Sequence, residues 1–190
     1  SDMVIDSLPP STKHIFQKDQ LGTGHAVSTV VSGEIFVENK SEFTLVVPGD
    51  VPAIDAKDMQ NLISEVKTKS SSVGFLTSIV ENPHGYGRVI RNNDEIRIVE
   101  EKDCNDDERK INEINSGIYC FNTDFLIDNI DSLDTKNAQG EFYLTDLIGI
   151  ANNQKQDIVI VQVDEDSIKG INSMSQLNEV EDIMQKKLIE

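Results

Sequence analysis

The chain has 190 residues, of which 37% are hydrophobic and 27% are charged. These values are typical of one globular domain that can bury a full core. Acidic residues outnumber basic ones by 34 to 17, for a net charge of −17, and no basic stripe offsets this excess. We therefore expect no nucleic-acid partner, and the lack of a long apolar run predicts no membrane span.

The first ten residues carry neither the basic start nor the apolar stretch of a secretory signal. Cys104 and Cys120 are the only cysteines, and two isolated thiols in such a chain indicate a reduced, cytoplasmic protein. The three histidines, His14, His25 and His84, share no metal-ligand spacing, so we expect no zinc site.

Hydrophobic periodicity predicts that strands and helices alternate along the chain. Strands are predicted over 13–17, 43–47, 73–80, 95–99, 114–121 and 157–163. Helices are predicted over 24–30, 56–69, 123–130, 144–151 and from 173 onward. The continuous apolar run 43–47 favours a strand that is buried on both faces. The alternation as a whole predicts an α/β fold, a doubly wound and mostly parallel mixed sheet with helices on both faces.

The predicted domain organisation is one core with short ends. We expect residues 1–12 to be an expression-tag remnant and irregular lead-in, residues 13–172 to form the core, and residues 173–190 to form a C-terminal helix. Ser173 and Gln176 have the spacing of a capping box at the start of that helix.

Five short blocks place glycines, lone carboxylates and amides where the predicted strands end. They are QKDQLGTGHA at 17–26, PGDVP at 48–52, GYGR at 85–88, EINSG at 113–117 and NAQGEFYLTD at 137–146. An open α/β sheet builds its ligand site at the carboxyl ends of its strands. The blocks therefore predict one site assembled from distant parts of the chain.

This set of blocks resembles the bacterial N-acetylglucosamine-1-phosphate uridylyltransferase domain, over nearly the whole chain. The resemblance implies a Rossmann-like nucleotidyltransferase fold and Mg²⁺ as cofactor. It also implies UMP transfer from UTP to N-acetylglucosamine 1-phosphate, which yields UDP-N-acetylglucosamine for peptidoglycan and lipopolysaccharide synthesis, and pyrophosphate. The family begins with a strand and a glycine-rich loop carrying an Arg, followed by a Lys. This segment is not in the sequence, so we expect a domain truncated at its N-terminus that is inactive on its own.

The resemblance also assigns roles to individual residues. Asp50 and Asn172 would bind Mg²⁺ and carry catalysis. The nucleotide contacts would come from Gln17, Gly22, Thr23, Gly49 and Asp50, with Gln17 reading the uracil. The sugar contacts would come from Gly87, Glu100, Asn115, Tyr143 and Thr145. Pro48 departs from the family, which often has an aromatic residue there.

Plainer interpretations of these residues remain open. Asp50 is equally explained as a helix cap or turn residue before Pro52. Gly22 and Gly24 can form an ordinary turn, and Glu100 can belong to a solvated acidic run with Glu101 and Asp103.

Two other functions are weighed against the transferase. The first is a non-catalytic sugar-nucleotide-binding or regulatory module that has lost the phosphate loop. The second is a dinucleotide-dependent oxidoreductase, whose fingerprint needs a third glycine where this chain has Ser28 and Thr29. An incomplete sheet also leaves self-association through its unpaired edge open as a prediction.

Overall fold

A computed structural model of the protein describes residues 2–92, 95–171 and 173–189. These ranges contain six strands: β1 Phe43–Val46, β2 Val73–Ile79, β3 Arg88–Asn92, β4 Glu95–Val99, β5 Glu113–Asn122 and β6 Ile158–Gln162. They contain seven α-helices: α1 Asp2–Ser7, α2 Thr23–Val31, α3 Glu34–Glu38, α4 Ala56–Thr68, α5 Thr123–Asn129, α6 Asp146–Asn153 and α7 Met174–Ile189. The predicted α/β class is confirmed.

The strands form a single sheet around β5. The order is β4-β3-β5-β2-β6, and β1 also pairs with β5. One edge of β5 is shared, because β3 pairs with it at Ile114 near its start and β1 pairs with residues 119–122 near its end. The space between β1 and β3 along this edge therefore has no paired strand among the described residues.

The expectation of a mostly parallel sheet is wrong, because most of the described strand pairs are antiparallel. β1, β2 and β3 all run antiparallel to β5, and β3 and β4 form an antiparallel hairpin. Only β2 and β6 pair in parallel within the described sheet. The reason is that β5 runs opposite to every strand that it contacts. Hydrophobic runs report the burial of a strand and carry no information on its direction.

Helices cover both faces of the sheet, as predicted. On one face α4 brings Leu62 and Val66, both fully buried, against Gly74 of β2, where an added Cβ would lie 2.4 Å from Val66 Cγ2. The other face packs against α2, α5 and α6. Alternation along β5 sends Ile118 and Cys120 to the α4 side and Tyr119 and Phe121 to the opposite side. Cys120 is therefore a buried packing residue of the core on the α4 side.

Several local predictions fail for lack of a partner or of a clear pattern. Residues 13–17 form no strand, because an extended segment needs a neighbouring ladder to satisfy its backbone groups. β1 is half-buried along its length, since β5 is its only described partner. The residues expected as an irregular lead-in contain α1, and α3 and β3 were not predicted.

The C-terminal helix begins as its sequence predicts. The Gln176 N–H donates to Ser173 Oγ at 3.2 Å, and the Ser173 hydroxyl donates to Gln176 Oε1 at 3.3 Å. This reciprocal pair satisfies groups that a helix start otherwise leaves exposed. Across the described residues, no helix has the length and apolar character that a bilayer crossing requires.

Candidate active site

A cavity of about 540 Å³ opens where β1 and β3 separate along β5. Gly117 marks the separation: its φ is +78°, and an added Cβ would lie 2.9 Å from Pro48 Cγ. Glycine adopts this left-handed conformation without strain. The lining includes six of the predicted site residues: Thr23, Asp50, Gly87, Glu100, Asn115 and Thr145. All five sequence blocks therefore contribute residues to one cavity, and only Arg88 of the GYGR block is absent from its lining.

The glycine turn before α2 is fixed by the chain segment around Phe142. The Phe142 N–H donates to Leu21 O, and the Gly24 N–H donates to Phe142 O, both at 2.8 Å. Gly22 has φ +108°, and an added Cβ would lie 2.6 Å from Phe142 O. Gly22 is thus required by close backbone packing and lies outside the cavity lining.

Thr23 connects this turn to the cavity. It lines the cavity, and its Oγ1 accepts a hydrogen bond from the Leu144 N–H at 3.1 Å. Thr23 therefore holds the backbone of Leu144 in place and also borders the space where a ligand would lie.

Gln17 lies beside the turn rather than in the cavity wall. Its Nε2 is 2.9 Å from His25 Nδ1 and 3.4 Å from Gly22 O. Both contacts involve the amide nitrogen of Gln17, so neither of them uses its Oε1. The predicted uracil contact at Gln17 stays a prediction.

Asp50 is exposed and lines the cavity next to Gly170. The Ile171 N–H donates to Asp50 O at 2.9 Å, so the fold joins the Asp50 loop to the segment before α7, despite their separation in sequence. Asn172 itself lies outside the described residues. Gly49 is exposed and is not part of the lining.

The helix-cap explanation of Asp50 is wrong. The residue that caps α4 is Asp55, whose Oδ1 accepts from the Lys57 N–H at 3.0 Å. Asp50 thus supplies a carboxylate at the cavity that the start of α4 does not use. Mg²⁺ typically takes one or two carboxylates together with phosphate oxygens and water, and Asp50 fits that donor set. The described residues contain no cluster of three or more His, Cys, Asp or Glu side chains that could hold a metal alone.

Glu100 lines the cavity and contacts Gly87 and Thr145 on either side. The Thr145 hydroxyl donates to Glu100 Oε1 at 3.1 Å, and an added Cβ on Gly87 would lie 3.4 Å from Glu100 Oε2. Burial raises the pKa of Glu100, and the carboxylates of Asp146 and Asp103 raise it further. Glu100 is therefore not part of a freely solvated acidic run. It is a desolvated acceptor for a hydroxyl or amide hydrogen.

Asn115 is buried and already has structural partners. Its Nδ2 donates to Tyr119 Oη at 2.6 Å, and its Oδ1 accepts from the Gly117 N–H at 3.2 Å. Its own N–H donates to Gly87 O at 2.9 Å. Asn115 thus holds the bend of β5 and the Gly87 backbone in place, while its side chain borders the cavity.

Tyr143 lies outside the cavity lining, although the resemblance assigns it to the sugar. Its hydroxyl donates to Asp103 Oδ2 at 3.0 Å and accepts from Gln139 Nε2 at 2.9 Å. The ring is buried, and burial raises the pKa of Tyr143 to about 12. Tyr143 is not among the lining residues, so its contacts in this structure are with the protein.

Arg88 and Glu101 are site residues that the sequence did not reveal. Arg88 is only 1% exposed, and its Nη2 lies 2.7 Å from Glu101 Oε2. Its Nη1 donates to Tyr86 O, and the Gly85 N–H donates to Glu101 Oε2 at 3.2 Å. The ion pair therefore holds the cavity wall at residues 85–87. The available signal was one arginine in the apolar context of GYGRVI.

The cavity carries negative charge. Asp50 and Glu100 are its ionisable carboxylates, and the described lining residues include no Lys or Arg. Hydroxyl and amide groups suit such walls directly. A polyphosphate there requires a cation to offset the repulsion.

Comparisons with known proteins agree on the family to which the chain is similar. Residues 6–167 match the family model described as nucleotidyl transferase. The chain is 42% identical over 190 residues to the bifunctional protein GlmU of Fervidobacterium nodosum, and 43% identical over 180 residues to that of Clostridium tetani. These alignments cover 100% and 94% of this chain, but only 40% and 39% of the relatives. The chain thus spans about two fifths of the length of these curated relatives.

Solved structures share the fold at low sequence identity. UDP-glucose pyrophosphorylase complexed with UDP-glucose superposes with a TM-score of 0.68 at 17% identity, covering 92% of this chain and 66% of that one. CMP:2-keto-3-deoxy-manno-octonic acid synthetase complexed with CTP gives 0.62 at 18% identity, covering 87% and 69%. With the family model matching most of its length, the chain belongs to the nucleotidyl transferase family.

Proposed function

We propose that this chain is the uridylyltransferase domain of a UDP-N-acetylglucosamine-synthesising enzyme. The domain joins UTP and N-acetylglucosamine 1-phosphate to give UDP-N-acetylglucosamine and pyrophosphate. The main support is the single cavity at the β1/β3 separation, which collects Thr23, Asp50, Gly87, Glu100 and Asn115 from five segments of the chain. The similarity to GlmU proteins over the whole chain adds support for a sugar-nucleotide transferase, and the substrate pair is the one that the family resemblance implies.

The proposed reaction is a single in-line displacement. A phosphate oxygen of the sugar phosphate forms a bond to the α-phosphorus of UTP, and the bond from that phosphorus to the bridging oxygen of pyrophosphate breaks. The sugar phosphate is already ionised at neutral pH, so the reaction needs no covalent enzyme intermediate. Positioning and charge neutralisation then supply the catalysis.

The residues divide into a nucleotide side and a sugar side. Thr23 and the start of α2 border the nucleotide side, where helix N–H groups favour an anion. Glu100, Gly87 and Asn115 border the sugar side, where the desolvated carboxylate can accept from a sugar hydroxyl or the N-acetyl N–H. Asp50 lines the same cavity, and with Asn172 it would hold Mg²⁺, which would neutralise phosphate charge when bound.

The charge of the cavity supports slow turnover by this chain alone. Its described walls hold carboxylates and no basic side chain, so a triphosphate depends on Mg²⁺ alone for neutralisation here. Loss of one oxyanion donor in an enzyme lowers the rate by about 10²–10³. We therefore expect detectable ligand binding with slow or no UMP transfer.

Chromatographic detection of UDP-N-acetylglucosamine formed from UTP and N-acetylglucosamine 1-phosphate tests the proposal. The assay is run on this chain and on the protein extended upstream along its own coding frame. We expect Mg²⁺-dependent product in the extended protein, loss of that product in Asp50→Ala, and no loss in Asp106→Ala, which removes a remote carboxylate that is 99% exposed. Saturable UDP-N-acetylglucosamine binding with no turnover in the extended protein would instead support a non-catalytic sugar-nucleotide module. Absence of both binding and turnover would refute the proposal.

A further inference from the structure

The turn after β4 connects two walls of the cavity. We call residues 100–103, with sequence EEKD, the acidic turn. Its backbone is closed by hydrogen bonds from the Asp103 and Cys104 N–H groups to Glu100 O, at 2.9 and 3.1 Å. Glu100 lines the cavity, whereas the side chains of Glu101 and Asp103 point to different neighbouring segments.

Glu101 fixes the wall at residues 85–87. Its Oε2 accepts from Arg88 and from the Gly85 N–H, and Arg88 also donates to Tyr86 O. The Arg88 side chain is 2% exposed and that of Glu101 24%, so the arginine is buried while its carboxylate partner is partly exposed. A buried ion pair of this kind has a strongly fixed geometry, because an unpaired buried charge is costly.

Asp103 fixes a second wall segment, at residues 138–145. Its Oδ2 accepts from the Tyr143 hydroxyl at 3.0 Å and its Oδ1 accepts from the Ala138 N–H at 2.8 Å. Lys102 donates to Gln139 Oε1 at 2.6 Å, and Gln139 donates to the Tyr143 hydroxyl. Leu144 and Thr145, directly after Tyr143, line the cavity.

We infer that the acidic turn is a clamp for the sugar side of the cavity, with Glu101 and Asp103 as positioning residues that hold its two walls at a fixed separation around Glu100. Tyr143 then acts through Asp103 and does not contact the sugar. This inference deepens the proposed function and rests on it. Recognition of a sugar phosphate that carries hydroxyl and amide groups depends on this clamp.

The test compares ligands that occupy the two sides separately. Calorimetric titration measures Kd for N-acetylglucosamine 1-phosphate and for UMP in the unmodified chain, in Asp103→Ala and in Tyr143→Phe. We expect each variant to weaken binding of the sugar phosphate about tenfold, equivalent to ~1.4 kcal/mol. UMP binding should change less than about twofold, since no nucleotide-side residue is altered. The double variant should lose no more than the larger single loss, because both changes break one clamp.

Asp106→Asn is the matched control, because it removes one exposed carboxylate close by in sequence that lies 3.8 Å from Arg109. It should bind both ligands as the unmodified chain does. If Tyr143→Phe weakens sugar-phosphate binding while Asp103→Ala does not, Tyr143 contacts the sugar directly and the clamp is refuted. Equal losses for both ligands, or no loss for either, also refute it.

Amide hydrogen exchange without ligand separates the clamp from the proposed function. The clamp predicts faster exchange at residues 85–87 in Glu101→Gln and at residues 138–145 in Asp103→Ala, with α4 and β2 unchanged. Unchanged exchange at these segments would overturn the clamp even if the ligands bind. The expected local increase in a chain that binds neither ligand would leave the clamp standing and refute the proposed function.

Discussion

Replacing Gly117 by alanine tests whether the bend of β5 shapes the cavity. The left-handed backbone at φ +78° costs a residue with a Cβ about 1–2 kcal/mol. The new Cβ would also lie 2.9 Å from Pro48 Cγ, and forced overpacking typically costs about 1–3 kcal/mol. The two effects together predict that Gly117→Ala lowers the free energy of unfolding by about 2–5 kcal/mol.

Two other glycines separate these contributions. Gly140 has φ +65° with no atom within 4 Å of an added Cβ, so Gly140→Ala should show the backbone cost alone, about 1–2 kcal/mol. Gly149 lies within α6 and also has an open Cβ position, so Gly149→Ala should stabilise the protein by about 0.5–1 kcal/mol.

Urea denaturation followed by circular dichroism measures all three variants. The expected order of stability is Gly149→Ala, unmodified chain, Gly140→Ala and then Gly117→Ala. If Gly117→Ala is no less stable than Gly140→Ala, the close contact with Pro48 does not constrain the cavity, and the reasoning fails.

Three further predictions concern the cavity residues. Asp50→Ala should abolish Mg²⁺-dependent transfer in the extended protein while the urea midpoint stays within error, because Asp50 is exposed; near-normal activity across a Mg²⁺ titration would contradict its role. Asn115→Ala should destabilise the fold by about 1–3 kcal/mol, because it leaves the buried Tyr119 hydroxyl unpaired, and it should also weaken sugar-phosphate binding. Urea unfolding measures the first effect and calorimetry the second, and an unchanged urea midpoint would be inconsistent with the Asn115–Tyr119 hydrogen bond. Glu100→Gln should stabilise the protein at pH 7 by about 0.5–2 kcal/mol while weakening sugar-phosphate binding. Burial raises the pKa of Glu100 in the folded state, so the unmodified chain gains stability as the pH falls through that raised pKa toward the unfolded value. The stability advantage of Glu100→Gln should therefore shrink toward pH 4. An advantage that is independent of pH would rule out this cause.

The sequence predicted the elements that carry a strong hydrophobic period. The apolar faces of α4 and the long runs of β2 and β5 appear where expected, because burial imposes these patterns directly. β3 was missed because it has five residues, two of them exposed, and begins with a buried arginine. Strand direction was missed because β5 runs against its neighbours, which side-chain pattern does not report.

The site was predictable mainly through the family resemblance, which assigned Asp50, Glu100 and Asn115 to it. Asp50, Glu100 and Asn115 lie on one cavity because their strands share one region of the sheet. The partners of these residues were not predictable. Tyr143 and Asp103 are 40 residues apart, and an acidic run in a chain of charge −17 is normally solvated. Only tertiary packing gives Glu101 and Asp103 separate partners.

Backbone-amide NMR during titration with UDP-N-acetylglucosamine and Mg²⁺ tests the central claim most directly. Binding in the proposed cavity predicts saturable shifts of the amides at residues 23, 85–87, 115–117 and 144–145, which surround it. The amides of α7 beyond Val180 should serve as an internal reference that does not shift. Saturable shifts centred elsewhere, or none at ligand concentrations that saturate a related transferase, would contradict the claim that this cavity binds the sugar nucleotide.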